Sequence, residues 1–433
     1  MRKGYILTVI GSGSTYTPEL IDGIIARRES LYFREIRLMD IDERKRVIVG
    51  GLCQRMIEAA GIDCRVILTD DLDDALTDAD FVVAQIRVGR LPARILDETI
   101  PPKYGLIGQE TTGMGGFFKA LRTIPVMLHI AERMEALCPK AFLINFTNPS
   151  GIITQAICDR TRVRVIGLCN VPINMVDDIS RNMGLGDVKV QYVGLNHLSW
   201  ITGIESGGKE YLPEAIARGI NAAPMKNIKA SGFSRDCLRA AGGIPSSYLE
   251  YFYNRNQELA KEKAMEKCRG EVCSELEEAL LKIYEDHTLH VKPKQLEQRG
   301  GAKYSLAAIS LIDAIANDKQ EVHIVGVRNG ETLSFLRSGD VVEVACRVGA
   351  EGAKPLPLGT FHNEHIEEMM QAVKAYERHT VRAAVEGDED EALRALMIHP
   401  LIGDFNTARS CFEEMKKAHR RYLPQFFKQG AEV

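Results

Sequence analysis

The chain is 433 residues long and lacks the marks of several protein classes. It has no excess of positive charge: 55 lysines and arginines stand against 59 aspartates and glutamates, a net charge of -4. That balance offers no footprint for nucleic acid or for an acidic membrane surface. No apolar run is long enough to span a bilayer. The ten cysteines form no Cys-x-x-Cys pair and no small-domain disulfide spacing, which suits a reducing compartment. There is no internal repeat and no low-complexity linker. Met1-Arg2-Lys3 followed by Tyr5–Ile10 has the charge-then-apolar order of a secretion signal, but the run is short and passes straight into a glycine turn. These absences describe a cytoplasmic enzyme without a nucleic-acid or membrane partner.

What is present is ordinary in bulk, with 45% hydrophobic and 26% charged residues, and specific in detail. The length allows a large core and two domains. Tyr5–Ile10 reads as a buried strand, Gly11-Ser12-Gly13-Ser14-Thr15-Tyr16 as a turn, and a helix follows from about Thr17 with Pro18 in its first turn. Strand, bare turn and helix amino end form a cradle for phosphate. The third glycine of the usual dinucleotide fingerprint is missing, with Tyr16 in its place, so a plain strand-to-helix turn competes with this reading. The next strand ends at Asp40-Ile41-Asp42, where an acidic side chain holds ribose hydroxyls and disfavours a 2′-phosphate; NAD is therefore expected over NADP. Continued alternation, with a helix over 43–60 and strands near 65–68, 81–86 and 141–146, predicts a doubly wound parallel sheet.

Residues that carry chemistry gather at the predicted strand ends. Arg87, Arg90 and Arg94 follow the fourth strand and can clamp an anion, although a solvated loop explains Arg90 equally well. Gly108-Gln109-Glu110-Thr111-Thr112-Gly113-Met114-Gly115-Gly116 reads as a loop folding over a ligand, with Glu110 as its ionisable group. Asn148, before Pro149, either caps a helix or holds a hydroxyl. Two further strands lead into Cys169 and His197. Taken as neighbours, they would bring a thiolate and an imidazole together as two ligands of an open metal site. Alone, such a pair is more often a core cysteine and a turn histidine. His362, His365, His287 and His290 read as solvated helix or loop positions.

With these residues in view, the chain resembles glycoside hydrolase family 4, nicotinamide-dependent glycosidases that depart from two-carboxylate hydrolysis. The likeness runs through Gly11-Ser12-Gly13-Ser14, Asp40-Ile41-Asp42, Gly108–Gly113, Asn145–Gly151, Cys169-Asn170-Val171-Pro172, Gly194-Leu195-Asn196-His197, Pro245-Ser246-Ser247-Tyr248 and Arg299-Gly300-Gly301. It implies a Rossmann-type NAD domain over residues 1–170. A mixed α+β, helix-rich catalytic and oligomerisation domain follows over 171–433, in the manner of lactate and malate dehydrogenases. It further implies NAD bound by Gly11, Ser12, Gly13, Ser14 and Asp40, and a divalent metal, usually Mn2+, on Cys169 and His197. Ligand softness alone would point to zinc. Tyr248 becomes the catalytic base, with Glu110 raising its basicity and Tyr251 as the alternative. Arg87, Arg94, Asn148, Asn170 and Arg299 become substrate-binding residues. Asparagine rather than aspartate at 170 marks the 6-phospho-β-glucosidases, which release glucose 6-phosphate from a phosphorylated disaccharide or aryl glycoside. A homo-dimer or homo-tetramer is implied as well. The competing readings are a lactate- or malate-type dehydrogenase and a non-catalytic NAD sensor.

Overall fold

The computed structural model describes residues 4–222, 232–299, 304–359 and 361–427. Six strands form the parallel part of one sheet: β1 (Tyr5–Ile10), β2 (Phe33–Met39), β3 (Arg65–Thr69), β4 (Phe81–Ala84), β5 (Phe142–Asn145) and β6 (Arg164–Gly167). Their order is β3-β2-β1-β4-β5-β6, so strand order reverses at the β1–β4 step, where such sheets bind ligands beyond their carboxyl ends. Every residue of β4 and β5 is buried, which is why these strands read as unbroken apolar runs rather than alternating ones. Helices start where the sequence places breakers. Pro18 sits in the first turn of Thr17–Ala26, and Asp42 caps Glu43–Ala59 by accepting from the Lys45 N–H at 3.2 Å.

The second half adds β7 (Lys189–Leu195), β8 (Leu198–Ser206), β9 (Lys209–Glu210), β10 (Ile244–Pro245), β11 (Glu321–Arg328), β12 (Val341–Gly349) and β13 (Gly352–Pro355). They extend the same sheet in the order β10-β8-β7-β12-β11-β6, with antiparallel pairing throughout this part. The strands that lead to Cys169 and His197 are therefore not neighbours. The β11–β12 hairpin, contributed more than a hundred residues later, lies between them. The expectation of adjacent strands is corrected on this point: from β6 onward, pairing joins segments distant in sequence, which local pattern cannot reveal.

A second correction concerns the glycine-rich stretch. Gly113, Gly115 and Gly116 are not loop but the first turn of a 25-residue helix, Gly113–Leu137. A Cβ on Gly115 would meet the Asp97 carbonyl oxygen at 2.7 Å, and one on Gly116 would lie 2.6 Å from the Thr111 carbonyl oxygen. These glycines are bare so that the preceding segment, 106–112, can fold tightly against the helix. Helix Glu364–Glu386 returns to pack on Gly113–Leu137, so the C-terminal region closes over the first half of the chain. No described helix is long and apolar enough to cross a membrane.

Candidate active site

The Gly11–Tyr16 turn is built by backbone constraint. Gly11 has φ +84°, and a Cβ there would sit 3.0 Å from the Gln85 carbonyl oxygen. Gly13 donates its N–H to Asp40 Oδ2 at 2.7 Å, and a Cβ on Gly13 would lie 2.8 Å from that oxygen and from Lys45 Cβ. Asp40 Oδ1 accepts from the Asp42 N–H at 2.8 Å, so the acidic residue at the end of β2 orients the turn while lone pairs remain for further donors. The Ser12 hydroxyl is buried with no protein partner, and Ser14 Oγ accepts from the Tyr16 N–H at 3.3 Å. An orphaned hydroxyl among bare glycines at a helix amino end fits a pyrophosphate.

Arg299 is drawn to this turn. Its guanidinium hydrogen-bonds Thr15 Oγ1, lies 5.0 Å above the Tyr16 ring and pairs with Glu277 at 3.4 Å. Gly300 and Gly301 of the same motif lie outside the described residues. Arg90 pairs with Asp42 at 3.0 Å on the same rim.

The second focus is Cys169 and His197. Both are buried, and Cys169 Sγ lies 3.6 Å from His197 Nε2. Two donors on one tetrahedral centre, with bonds of about 2.3 and 2.05 Å, stand about 3.5 Å apart, so the spacing fits a shared cation. Among the described residues no third histidine, cysteine or carboxylate joins them, which leaves the remaining coordination positions to substrate or water. His197 occupies the two-residue turn between β7 and β8 with φ +67°, a conformation that a glycine would adopt more cheaply. Burial, with Lys119 adding, holds its imidazole down to about 3, the neutral form that binds metal. Burial, with Glu343 adding, pushes the Cys169 thiol up to about 12.

Tyr248 stacks on His197 with ring centroids 3.8 Å apart and planes 13° apart. Burial, then the neighbouring Cys169 and Glu110, raise its phenol, while a hydrogen bond with Thr111 and the charge of Arg94 oppose this. Tyr251, the alternative base, lies 6.4 Å from the Tyr248 ring, and Glu262 leads the charges acting on it. Asn170 begins the Val171–Met183 helix beside Cys169, its Oδ1 4.0 Å from Sγ. Asn148 precedes a cis Pro149, whose ring lines a recess beside His197.

Glu110 sits in a cage of cations. Arg87 hydrogen-bonds it, Arg94 pairs with it at 3.0 Å and Lys119 at 2.7 Å. Burial raises its carboxyl, but the charges of Arg87, Arg94 and Lys119 outweigh this and hold it well below the usual range. Lys119 is pushed down to about 7 by burial and by Arg87. Arg94 is buried too, bonded to Glu98 at 2.7 Å. The histidines read as bystanders are occupied elsewhere: His362 with Glu367 at 3.1 Å, His365 with Tyr253 at 2.8 Å and His290 with the Thr288 carbonyl at 3.0 Å.

Several residues at the site carried no local signal in the sequence. A recess beside His197 is walled by Phe252, Tyr376, Glu377 and His399, together with Thr112 and Gly151 of the motifs quoted above. The Tyr376 hydroxyl and His197 Nδ1 are buried without protein partners. Glu343 on β12 is 2% exposed and accepts from Tyr192 and Asn196; burial pushes its carboxyl up to about 7.

Comparison with known proteins places the whole chain in one family. The family 4 glycosyl hydrolase model matches residues 6–185, and the model of that family's C-terminal domain matches residues 192–402. A probable 6-phospho-beta-glucosidase of Bacillus subtilis is 43% identical, covering 99% of each chain. The 6-phospho-beta-glucosidase of Thermotoga maritima, solved with NAD and glucose-6-phosphate, superposes with a TM-score of 0.90 at 33% identity, over 97% of this chain and 99% of that one. Another crystal of the Thermotoga protein holds manganese as well, with a TM-score of 0.87 at 33% identity over 96% and 99% of the two chains. Malate dehydrogenase of Plasmodium falciparum shares the fold alone, with a TM-score of 0.54 at 13% identity over 88% and 98%.

Proposed function

This chain belongs to the family 4 glycosyl hydrolases, and on that footing we propose that it hydrolyses 6-phospho-β-glucosides to glucose 6-phosphate and an aglycone. The observation that carries the reading is the convergence of Cys169, His197 and Tyr248 across the crevice from a dinucleotide turn. A dehydrogenase of the malate type has no use for a thiol–imidazole pair with a tyrosine stacked on it.

In this reading Gly11, Ser12, Gly13, Ser14 and Asp40 hold NAD, and Cys169 and His197 hold a divalent cation, Mn2+ by likeness to the Thermotoga protein. Bound there, NAD supplies a hydride acceptor and donor for the sugar C3, and the cation supplies Lewis-acid polarisation of the sugar oxygens. Tyr248 removes the C2 proton once C3 is oxidised, because a neighbouring carbonyl acidifies that C–H. Departure of the aglycone from C1, addition of water and return of the hydride complete the turnover without net redox change. Glu110 makes the phenolate of Tyr248 more basic, while added positive charge beside His197 eases its deprotonation. Arg87, Arg94, Asn148 and Asn170 orient the sugar phosphate, with Arg87 and Arg94 anchored by Glu110 so that their guanidinium groups stay fixed. Arg299 serves the phosphate-bearing side from the nucleotide rim. Residues 1–170 form the NAD unit and 171–433 the catalytic and oligomerisation unit of a cytoplasmic homo-dimer or homo-tetramer.

The test is p-nitrophenyl 6-phospho-β-glucoside with NAD and Mn2+. Nitrophenol release without lasting NADH, lost on chelation, is expected. Lasting NADH from a hydroxy acid, or equal rates on the unphosphorylated glucoside, overturns the reading.

A further inference from the structure

Most buried carboxylates named here have a cation beside them. Asp97 faces Arg122 at 2.5 Å, Glu377 faces Lys374, and Glu110 has three partners. Glu343 does not. Its side chain is 2% exposed, and among the described residues no lysine, arginine or histidine nitrogen lies within 4 Å of it. Two neutral groups serve it instead: Oε2 accepts from the Tyr192 hydroxyl at 2.9 Å, and Oε1 from Asn196 Nδ2 at 3.2 Å. Burying a carboxylate without a counter-charge is unfavourable, so its position asks for a cation that the chain does not provide.

The neighbours show where that cation belongs. Glu343 lies on β12 opposite Gly194 of β7, three residues before His197. Asn196 is fixed in orientation, because its Oδ1 accepts from the Gly151 N–H at 3.3 Å, and this turns its amide nitrogen toward Glu343. The amide that serves Glu343 is therefore the chain neighbour of one donor, His197. Charge counting points the same way: a divalent cation and one thiolate leave a single positive charge in a buried site, and one carboxylate cancels it.

We propose that Glu343 is the counter-charge of the Cys169–His197 centre, a positioning residue that strengthens cation binding and, through Asn196, steadies the turn that carries His197. This rests on the reading above that Cys169 and His197 hold the divalent cation. Partners of this kind behind the ligands commonly set affinity by about 10- to 100-fold.

Glu343→Gln isolates the charge. Its amide oxygen can still accept from Asn196, and its nitrogen can donate to Tyr192 while that hydroxyl donates to Ser199 Oγ, now 2.6 Å away. The NAD-loaded wild type, Glu343→Gln, Glu343→Asp and Cys169→Ser chains are titrated with Mn2+, free Mn2+ is read by electron paramagnetic resonance, and melting is followed without metal. Expected are a loss of Mn2+ affinity of about tenfold or more in Glu343→Gln, partial rescue in Glu343→Asp, unchanged NAD binding, and metal-free melting at or above wild type. Affinity within twofold of wild type in Glu343→Gln overturns the proposal. So does a lowered metal-free melting point or lost NAD binding, since the role would then be structural. Wild type without Mn2+ binding, or Cys169→Ser binding as tightly as wild type, instead removes the metal from this pair.

Discussion

Tyr248 is placed where it can touch only a narrow region, pressed flat on His197 and hydrogen-bonded with Thr111. Tyr248→Phe keeps the stack and removes the oxygen. The expected outcome is loss of C2-proton exchange with solvent deuterium and a fall in turnover of about 10²- to 10⁴-fold, the usual contribution of a general base. NAD titration by fluorescence should be unchanged; retained exchange would move the base to Tyr251. Glu110→Gln leaves the buried Arg94 and Lys119 facing the half-buried Arg87, and losing the one shared partner is expected to destabilise the fold by about 3–5 kcal/mol at neutral pH. The sign with pH follows from the depressed carboxyl. Its stabilisation is fully present above the unfolded value of about 4.3 and is lost as pH falls through the lower folded value. Denaturant unfolding of both chains should therefore differ most at pH 7 and converge in acid.

At the scale of elements, the turn between β1 and the Thr17–Ala26 helix and the end of β2 hold one another. A methyl group on Gly13 would meet Asp40 and Lys45, so Gly13→Ala forces the turn away from Asp40. We expect NAD affinity to fall at least about tenfold by fluorescence titration, with a stability loss of about 1–3 kcal/mol from overpacking. An unchanged NAD affinity would place the cofactor elsewhere. The missing third glycine is explained at this scale too. Position 16 carries a tyrosine ring that lies under Arg299, so what a bare residue would leave open is filled by a stack.

At the scale of the molecule, one sheet joins the glycine turn after β1, proposed to hold NAD, to a thiol–imidazole pair held from β6 and β7. On the proposed function, that continuity would let a hydride leave the sugar and return within one crevice. Deuterium on the third sugar carbon should slow turnover or enter the cofactor pool by mass spectrometry, and chain stripped of NAD should release no aglycone. Cleavage by the stripped chain at the full rate would end this account.

The parallel half was legible in the sequence because its order follows local signals: apolar runs of strand length, a glycine turn, Asp40 after a strand, Pro18 and Asp42 at helix starts. Cys169 and His197 stood out at predicted strand ends and Tyr248 only through the family resemblance; the fold brings the three side chains together. Tertiary structure alone decided that β11 and β12 separate β6 from β7, that Gly113–Gly116 begin a helix, and that Lys119, Glu343, Tyr376 and Glu377 surround the site. The reason is distance along the chain. A pairing such as Glu343 with Gly194 spans about one third of the sequence, and no pattern within a helix turn or strand pleat encodes which distant backbone closes against it.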